Sequence, residues 1–336
     1  MKDIIFLEPV FKDYIWGGKK LKEVFNKKVI NEECTAESWE ISTNKDGETV
    51  ISNGDFKGKK LTEIYKDEKY KEEIFGTKCK MLDEFPILIK FIDAKNDLSV
   101  QVHPDNKYAS ENENSLGKTE MWYVLDCIDN AKIICCTEKE VDKNSFEKSL
   151  NTEKFKDCFN YINVKKGDCI FIPAGTIHAI LGGILIAEIQ QNSNITYRVY
   201  DWDRVDKNGI SRELHIDKSL DVIDFNKNPQ ITSTLDNMIK NDETYVEEFN
   251  ITDCEFFKTD KIVIKNRELL GKSKLESFYA MNVINGSGKI SFDVNSEINN
   301  KNKIEYNIKK GDSFLMPSTL GEYVISGNLE ILKTYI

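Results

Sequence analysis

Two histidines, a glutamate and a glutamine have the residue types and the spacing of a metal site. Gln101 and His103 are two residues apart in a β-type run, so their side chains share one face of a strand. Glu120 follows after a short excursion, and His178 comes after a Pro-Ala-Gly turn that precedes a returning strand. These four donors suit zinc or, less selectively, another divalent metal. The alternative is that each histidine is a hydrogen-bonded core residue.

The elements that must position these residues are β-strands. Residues 85–93 are strongly apolar and lead to the Gln101 segment, and residues 169–172 form a second apolar run before the turn. Residues 121–126 and 132–136 have the pattern of a hairpin joined around an Asp-Asn turn. The pattern therefore predicts a β-rich unit around the metal ligands.

Two segments depart from the β pattern. Residues 141–159 predict two short helical turns, whose phenylalanines would cover one end of the β unit. Residues 211–225 predict a helix that includes His215, the third and last histidine of the chain. His215 has no other ligand type nearby in the sequence, which favours a structural role for it.

An internal repeat links the two ends of the chain. The sequence IKKGDSFLMP at 308–317 matches VKKGDCIFIP at 164–173 without a gap. Continuing this alignment places Glu322 opposite His178, and residues 279–294 offer no histidine opposite Gln101 and His103. The chain therefore holds two copies of one β module, and only the first copy keeps metal ligands.

Chain length and local composition divide the protein into two domains. Residues 226–244 are polar, contain a proline and lack a clean period, so they predict a linker. The N-terminal domain, 1–225, would hold the single metal ion together with short helical segments. The C-terminal domain, 245–336, would be a degenerate structural copy.

Net charge bears on which partners the protein can bind, and cysteine usage bears on its redox compartment. The 336 residues carry a net charge of −10, from 57 acidic and 47 basic side chains, which disfavours nucleic acids and anionic membranes. The eight cysteines are scattered without a CxxC motif, and the first residues are charged instead of forming a signal peptide. We expect reduced thiols and a soluble, cytoplasmic protein that is a monomer or a weak homo-oligomer.

Four motifs together resemble a known family. The spacing from Gly167 through Pro173 and Gly175 to His178 fits the second cupin motif. The sequences LSVQVHPDNKYA, GKTEMWYVL, IPAGTIHAI and EIQQNSNITYRVYDWDR, in this order, closely resemble the short bacterial form of type I mannose-6-phosphate isomerase. The resemblance implies a mainly β fold of two cupin-type jelly-roll barrels with a few short helices. The short form lacks the large helical insertion of the eukaryotic enzymes.

The resemblance also implies functional residues and a reaction. It implies one zinc ion held by Gln101, His103, Glu120 and His178, catalytic residues Arg198, Glu188 and Lys118, and substrate-binding residues Ser99, Lys118 and Arg198. The expected reaction is the interconversion of D-mannose 6-phosphate and D-fructose 6-phosphate through an enediol, which makes the domain 1–225 catalytic. The alternatives are a non-catalytic sugar-phosphate-binding cupin protein and, less favoured, a cupin oxygenase.

The proposed catalytic residues also have plainer interpretations. Lys118 follows a glycine in a loop and could be solvent-facing charge. Glu188 lies in an apolar run, so it must pair with a cation or line the cavity. Arg198 could form a surface ion pair with Asp201 or Asp203.

Overall fold

The computed structural model describes residues 3–150, 152–205, 208–234, 244–295 and 301–336. Strands dominate these residues and the helices are short, so the prediction of a mainly β chain with a few short helices is confirmed. No helix in these ranges is long and apolar enough to cross a membrane.

The strands of the first half, in chain order, are β1 (Ile5–Glu8), β2 (Val10–Gly18), β3 (Thr35–Ile41), β4 (Val50–Ile51), β5 (Ile87–Ala94), β6 (Val100–Val102), β7 (Glu120–Cys127), β8 (Lys132–Thr137), β9 (Phe159–Asn163) and β10 (Asp168–Ile172). The strands of the second half are β11 (His178–Ile180), β12 (Ile184–Gln191), β13 (Tyr197–Tyr200), β14 (Gln230–Ser233), β15 (Tyr245–Asp253), β16 (Lys258–Lys272), β17 (Tyr279–Asn295), β18 (Lys301–Lys309), β19 (Ser313–Met316) and β20 (Glu322–Tyr335).

The α-helices are α1 (Lys20–Phe25), α2 (Leu61–Tyr65), α3 (Glu68–Phe75), α4 (Asn106–Glu113), α5 (Lys143–Ser149) and α6 (Ile216–Val222). Short 3₁₀ helices span Gly54–Phe56, Thr77–Cys79 and Glu153–Cys158. The two helical turns predicted within 141–159 are therefore present. The helix predicted over 211–225 is shorter than expected, because it begins at Ile216, directly after His215.

Two antiparallel sheets form the N-terminal unit. One has the strand order β14-β10-β7-β12-β5-β3-β2 and the other has the order β13-β6-β11-β8-β9. Their inner faces share one apolar cluster, to which Trp122 and Ile170 contribute from the first sheet and Ile133 and Ile180 from the second. This face-to-face packing creates the space in which the candidate metal ligands lie.

A third sheet, with the order β15-β16-β20-β17-β19-β1-β4 and with β18 paired to β17, forms the C-terminal unit. Its long strands β16 and β17 each carry a β-bulge where they pair with β20, and strands bend at such bulges. The sheet surrounds its own apolar cluster, which includes Ile262, Ile290, Phe314 and Ile331.

The N-terminal strand belongs to this third sheet. β1 pairs with β19 on one side and with β4 on the other, so the C-terminal unit takes residues from both ends of the chain. A buried polar cluster adds a second link, because Nζ of Lys27 lies 2.6 Å from Oε2 of Glu40 and Ser313 donates to the same oxygen at 2.6 Å. The two units therefore share strands as well as side-chain contacts.

The predicted linker 226–244 contains a strand. β14 pairs with β10 over four residues, and Ile231 packs against the apolar cluster between the two N-terminal sheets. A polar segment can become an edge strand in this way because one apolar side chain and the free edge of β10 are sufficient to hold it. Residues 235–243 of the predicted linker lie outside the described residues. The division at 226–244 stays a prediction.

The hairpin predicted from residues 121–126 and 132–136 is wrong. β7 pairs with β10 and β12, whereas β8 pairs with β9 and β11 in the other sheet. The turn between them, where Asn130 adopts a φ of 56°, carries the chain from one sheet to the other. The local turn signal was correct, but it cannot distinguish a hairpin from a corner between sheets.

Candidate metal centre and active site

The side chains of His103, Glu120 and His178 converge between the two N-terminal sheets. Their potential ligand atoms all lie within 4.8 Å of one another, and all three residues are buried. His178 and Glu120 are the first residues of β11 and β7, and His103 directly follows β6. The structure thus brings together three of the four predicted metal ligands at the ends of strands from both sheets.

Gln101, the fourth predicted ligand, lies beside this group. It pairs with His178 in the register of β6 and β11, and its Nε2 is 3.3 Å from Nε2 of His178. Because the two ends of a carboxamide can exchange by a 180° rotation, this position can equally present Oε1. A glutamine oxygen is therefore available next to the two imidazoles.

Both imidazoles of the group are held in a form that suits metal binding. Nδ1 of His178 lies 2.8 Å from the carbonyl of Thr176, so this nitrogen donates and Nε2 keeps a free lone pair, 3.4 Å from Oε1 of Glu120. Burial lowers the pKa of His178 to about 3. Burial and the charge of Lys118 lower the pKa of His103 well below its ordinary value. Both rings are neutral at neutral pH, as metal ligation requires.

Glu120 is a fully buried carboxylate that faces a cation. Trp122 donates its indole N–H to Oε1 at 3.0 Å, and Nζ of Lys118 lies 2.8 Å from Oε2. Burial raises the pKa of Glu120 to about 7 even though Lys118 opposes this effect. Two neutral imidazoles, a buried carboxylate and a carboxamide form a set of ligands that fits a divalent ion such as zinc. We find no second group of this kind in the residues that the structure describes.

The ligand group adjoins a cleft of about 280 Å³. Five of the residues predicted from the sequence line it, namely Ser99, Gln101, Lys118, Glu188 and Arg198. The structure therefore brings all the predicted site residues to one place, and their individual roles stay predictions. Lys118 is buried instead of facing solvent.

Glu188 lies in the cleft wall within a buried network of charges. Its Oε1 is 3.3 Å from Nζ of Lys90 and 3.9 Å from Nζ of Lys118. Lys90 also approaches Glu37 at 3.8 Å and lies over the ring of Trp39. Burial alone would raise the pKa of Glu188, but the charges of Lys118 and Lys90 have the larger effect. The pKa of Glu188 is therefore lower than its ordinary value. Glu188 is therefore an ionised carboxylate that both pairs with cations and lines the cavity.

Arg198 lies on β13, opposite Gln101 in the register with β6. Its Nη1 donates to the carbonyl of Glu213 at 2.8 Å, and its backbone N–H donates to Nδ1 of His215 at 3.1 Å. His215 thus supports the backbone of β13 and is not part of the candidate ligand group. In the described parts of the chain, the carboxylate of Asp201 pairs with Arg204 and Arg212 and not with Arg198.

Three charged cleft residues were not predicted from the sequence: Glu37, Lys90 and Arg212. A lysine within the apolar strand FPILIKFID was a usable signal for Lys90, because an unpaired buried ammonium is costly. Glu37 lies in a strand whose residues are all buried, but the sequence of that strand, TAESWEI, is largely polar and does not mark it. Arg212 lies in a polar loop, and no local pattern marks it.

Two family models match the chain. Residues 4–126 match the model of the type I phosphomannose isomerase catalytic domain. Residues 246–336 match the model of the mannose-6-phosphate isomerase cupin domain. The second match, together with the β units described above, confirms the predicted cupin-type fold.

Curated relatives match over the whole length. The chain is 36% identical to the probable mannose-6-phosphate isomerase GmuF of Bacillus subtilis, covering 98% of each chain. It is also 36% identical to the mannose-6-phosphate isomerase of Streptococcus mutans, covering 100% of this chain and 99% of the relative. The crystal structure of the mannose 6-phosphate isomerase from Bacillus subtilis superposes with a TM-score of 0.83 at 34% identity, covering 99% of both chains.

Proposed function

The chain belongs to the family of type I mannose-6-phosphate isomerases, and from this membership we propose that it interconverts D-mannose 6-phosphate and D-fructose 6-phosphate. The observation that carries the proposal is the position of the ligand group beside a cationic cleft. Lys118 and Gln101 line the cleft and also contact the ligand group. A sugar phosphate bound in the cleft would therefore lie next to the metal site.

In this proposal His103, Glu120, His178 and Gln101 hold one zinc ion. Zinc would polarise the sugar oxygens and offset the negative charge that develops in the enediol stage, a contribution of several kcal/mol. The protein residues fix the site in advance, since Thr176 orients His178 and Trp122 orients Glu120.

The cleft has the charge that a phosphate monoester needs. Four cations, Lys90, Lys118, Arg198 and Arg212, line it with only two carboxylates, Glu37 and Glu188. This local excess is opposite in sign to the net charge of −10 and matches a phosphate group of about −2. In the proposal, Arg198 and Lys118 bind the anionic substrate, and Ser99 contributes a hydroxyl to its binding.

Moving a proton between C2 and C1 requires a group that can accept it and return it. Glu188 is ionised, lies in the cleft wall and has Lys118 within 3.9 Å. We assign Glu188 the acid–base role, with Lys118 stabilising its charge before the proton is taken up. The same ammonium can then donate to a sugar oxygen as negative charge develops there.

The location and assembly of the protein are also part of the proposal. All eight cysteines are free thiols, which supports a reducing, cytoplasmic location. The expected state, a monomer or a weak homo-oligomer, stays a prediction.

A coupled assay across hexose 6-phosphates, on protein whose metal content has been measured, tests the proposed function. We expect turnover of mannose 6-phosphate with fructose 6-phosphate as the product. Binding of mannose 6-phosphate without turnover would instead support the non-catalytic sugar-phosphate protein. Oxygen consumption without an isomeric product would support the oxygenase.

A further inference from the structure

Arg212 faces the substrate cleft from a segment that the sequence places far from the metal ligands. It lines the cleft together with Arg198, and about a third of its side chain (31%) is exposed. A backbone hydrogen bond from His215 to the carbonyl of Arg198 holds the two segments side by side. An isolated bridge between Val205 and Ser211 lies next to Arg212 in the chain.

Asp201 fixes the direction of the Arg212 side chain. The Nε of Arg212 donates to Oδ2 of Asp201 at 2.8 Å, and its Nη2 donates to Oδ1. Arg204 donates a hydrogen bond to the same carboxylate and another to the backbone carbonyl of Asp97. Two guanidinium groups thus share one carboxylate, so this cluster keeps a net positive charge.

Arg198 forms no ion pair with a carboxylate of the described residues, because the nearby Asp201 pairs with Arg204 and Arg212. Nη1 of Arg198 is bonded to a backbone carbonyl, and its Nε is buried without a hydrogen-bond partner among the described residues. Burial and then the charge of Arg212 lower the pKa of Arg198. Two neighbouring arginines that repel each other bind an anion more strongly than either would alone, because the anion offsets the repulsion.

We propose that Arg212, oriented by Asp201, is a second phosphate-binding residue that holds the phosphate of the substrate together with Arg198. This inference rests on the proposed function and adds a specificity element to it. Two planar guanidinium groups can offer several N–H donors to one phosphate, which a neutral hexose cannot use. Arg212 therefore favours phosphorylated over unphosphorylated sugars, and it does so through binding.

The test compares Arg212→Ala with Arg204→Ala in zinc-loaded protein. Both variants remove a guanidinium from Asp201, but only Arg212 lines the cleft, so Arg204→Ala is the matched control. The measurements are KM and kcat for mannose 6-phosphate, the inhibition constant of inorganic phosphate, and the rise in melting temperature caused by phosphate. The last readout needs no turnover.

We expect Arg212→Ala to raise KM and the phosphate inhibition constant by about 10- to 100-fold, the range of one charged hydrogen bond, while kcat changes by less than about threefold. Phosphate should raise the melting temperature of Arg204→Ala as it does that of the wild type, and should lose this effect on Arg212→Ala. Arg212→Lys should recover part of the affinity. Equal phosphate binding by the two alanine variants would overturn the proposal.

The outcomes also distinguish this inference from the proposed function. Suppose that the wild-type protein does not isomerise mannose 6-phosphate, but that phosphate raises its melting temperature and not that of Arg212→Ala. The proposed function then fails and the phosphate site remains. If the wild-type protein is active and Arg212→Ala is equally active with unchanged KM, only the inference fails. Should Arg212→Ala melt earlier than the wild type without phosphate, Arg212→Gln replaces it, because its amide can still donate to Asp201 without carrying charge.

Discussion

The ammonium nitrogen of Lys118 lies 2.8 Å from Oε2 of Glu120 and 3.0 Å from Nε2 of His103. These two atoms are also candidate ligand atoms of the metal site. An ammonium ion and a divalent cation cannot both contact them closely, because like charges repel strongly in a buried site. Metal binding should therefore release Lys118 toward the cleft that it already lines.

This competition predicts the behaviour of Lys118→Met. The variant should bind zinc at least as tightly as the wild type, because a competing cation has been removed. It should lose roughly 2–4 kcal/mol of transition-state stabilisation, the scale of one deleted charge-stabilising donor. Metal titration and kcat/KM measured on the same preparation check both parts. A variant with weakened zinc binding would contradict the competition.

Removing a ligand should separate metal binding from folding. His178→Ala should lose the metal and the activity while the protein stays folded, because the apolar clusters of both units remain intact. His215→Ala is the control, since that histidine lies apart from the ligand group and should leave the metal content at one ion per chain. A chelator should abolish turnover of the wild type reversibly. Two equivalent ions per chain, or full activity without metal, would disprove the assignment.

Arg198 should affect the reaction and not the metal. Arg198→Ala should keep its zinc and its melting temperature, because among the described residues the side chain forms no ion pair and donates to a backbone carbonyl. It should lose roughly 2–4 kcal/mol in kcat/KM, and Arg198→Lys should recover only part, since a point charge lacks the two-pronged geometry. Near wild-type kcat/KM in Arg198→Ala would show that the residue has no role in the reaction.

The buried contact between the two units should be important for stability. Lys27→Met would leave the carboxylate of Glu40 buried without its cation, which costs about 3–5 kcal/mol. Lys28→Met is the control, because the side chain of Lys28 is exposed. Its loss should change the free energy of unfolding by less than about 0.5 kcal/mol. Chemical denaturation measures both. Equal free energies of unfolding would contradict the predicted role of the Lys27 pair.

Asp201 predicts a pH dependence of stability. Burial alone would raise the pKa of Asp201, but the hydrogen bonds from Arg212 and Arg204 have the larger effect. The pKa of Asp201 in the folded state is therefore lower than its ordinary value. A lowered pKa adds stability above the unfolded value of about 4, and this stability is lost as the pH falls through the folded value. The difference in unfolding free energy between wild type and Asp201→Asn should therefore be largest near neutral pH and shrink below about pH 4. A difference that stays constant from pH 7 to about 3 would contradict this account.

The group of candidate metal ligands was predictable because much of its spacing is local. Strand periodicity places Gln101 and His103 on one side, and the turn before His178 defines the start of β11. The repeat was also visible, and in both copies a new strand begins at the equivalent residue, His178 or Glu322. Such features depend on a few neighbouring residues, which a single sequence contains.

The rest depends on pairings between distant segments. Lys90 meets Glu188 only because β5 and β12 pair in a register that places the two residues opposite each other. Arg212 reaches the cleft only because its loop folds back along β13. A one-residue shift of the pairing between β5 and β12 would place Lys90 and Glu188 on opposite faces of the sheet, and nothing in the local sequence specifies the register of distant partners.

The pairing of β1 with β19 has a consequence for synthesis on the ribosome. Residues Ile5–Glu8 leave the ribosome well before their partner Ser313–Met316, which lies about 300 residues later in the chain. At typical elongation rates the interval is roughly 15–60 s. We expect the nascent chain to carry an exposed strand edge throughout this time. Association between nascent chains, measured by sedimentation of stalled ribosomes, should therefore fall once Ser313–Met316 has emerged.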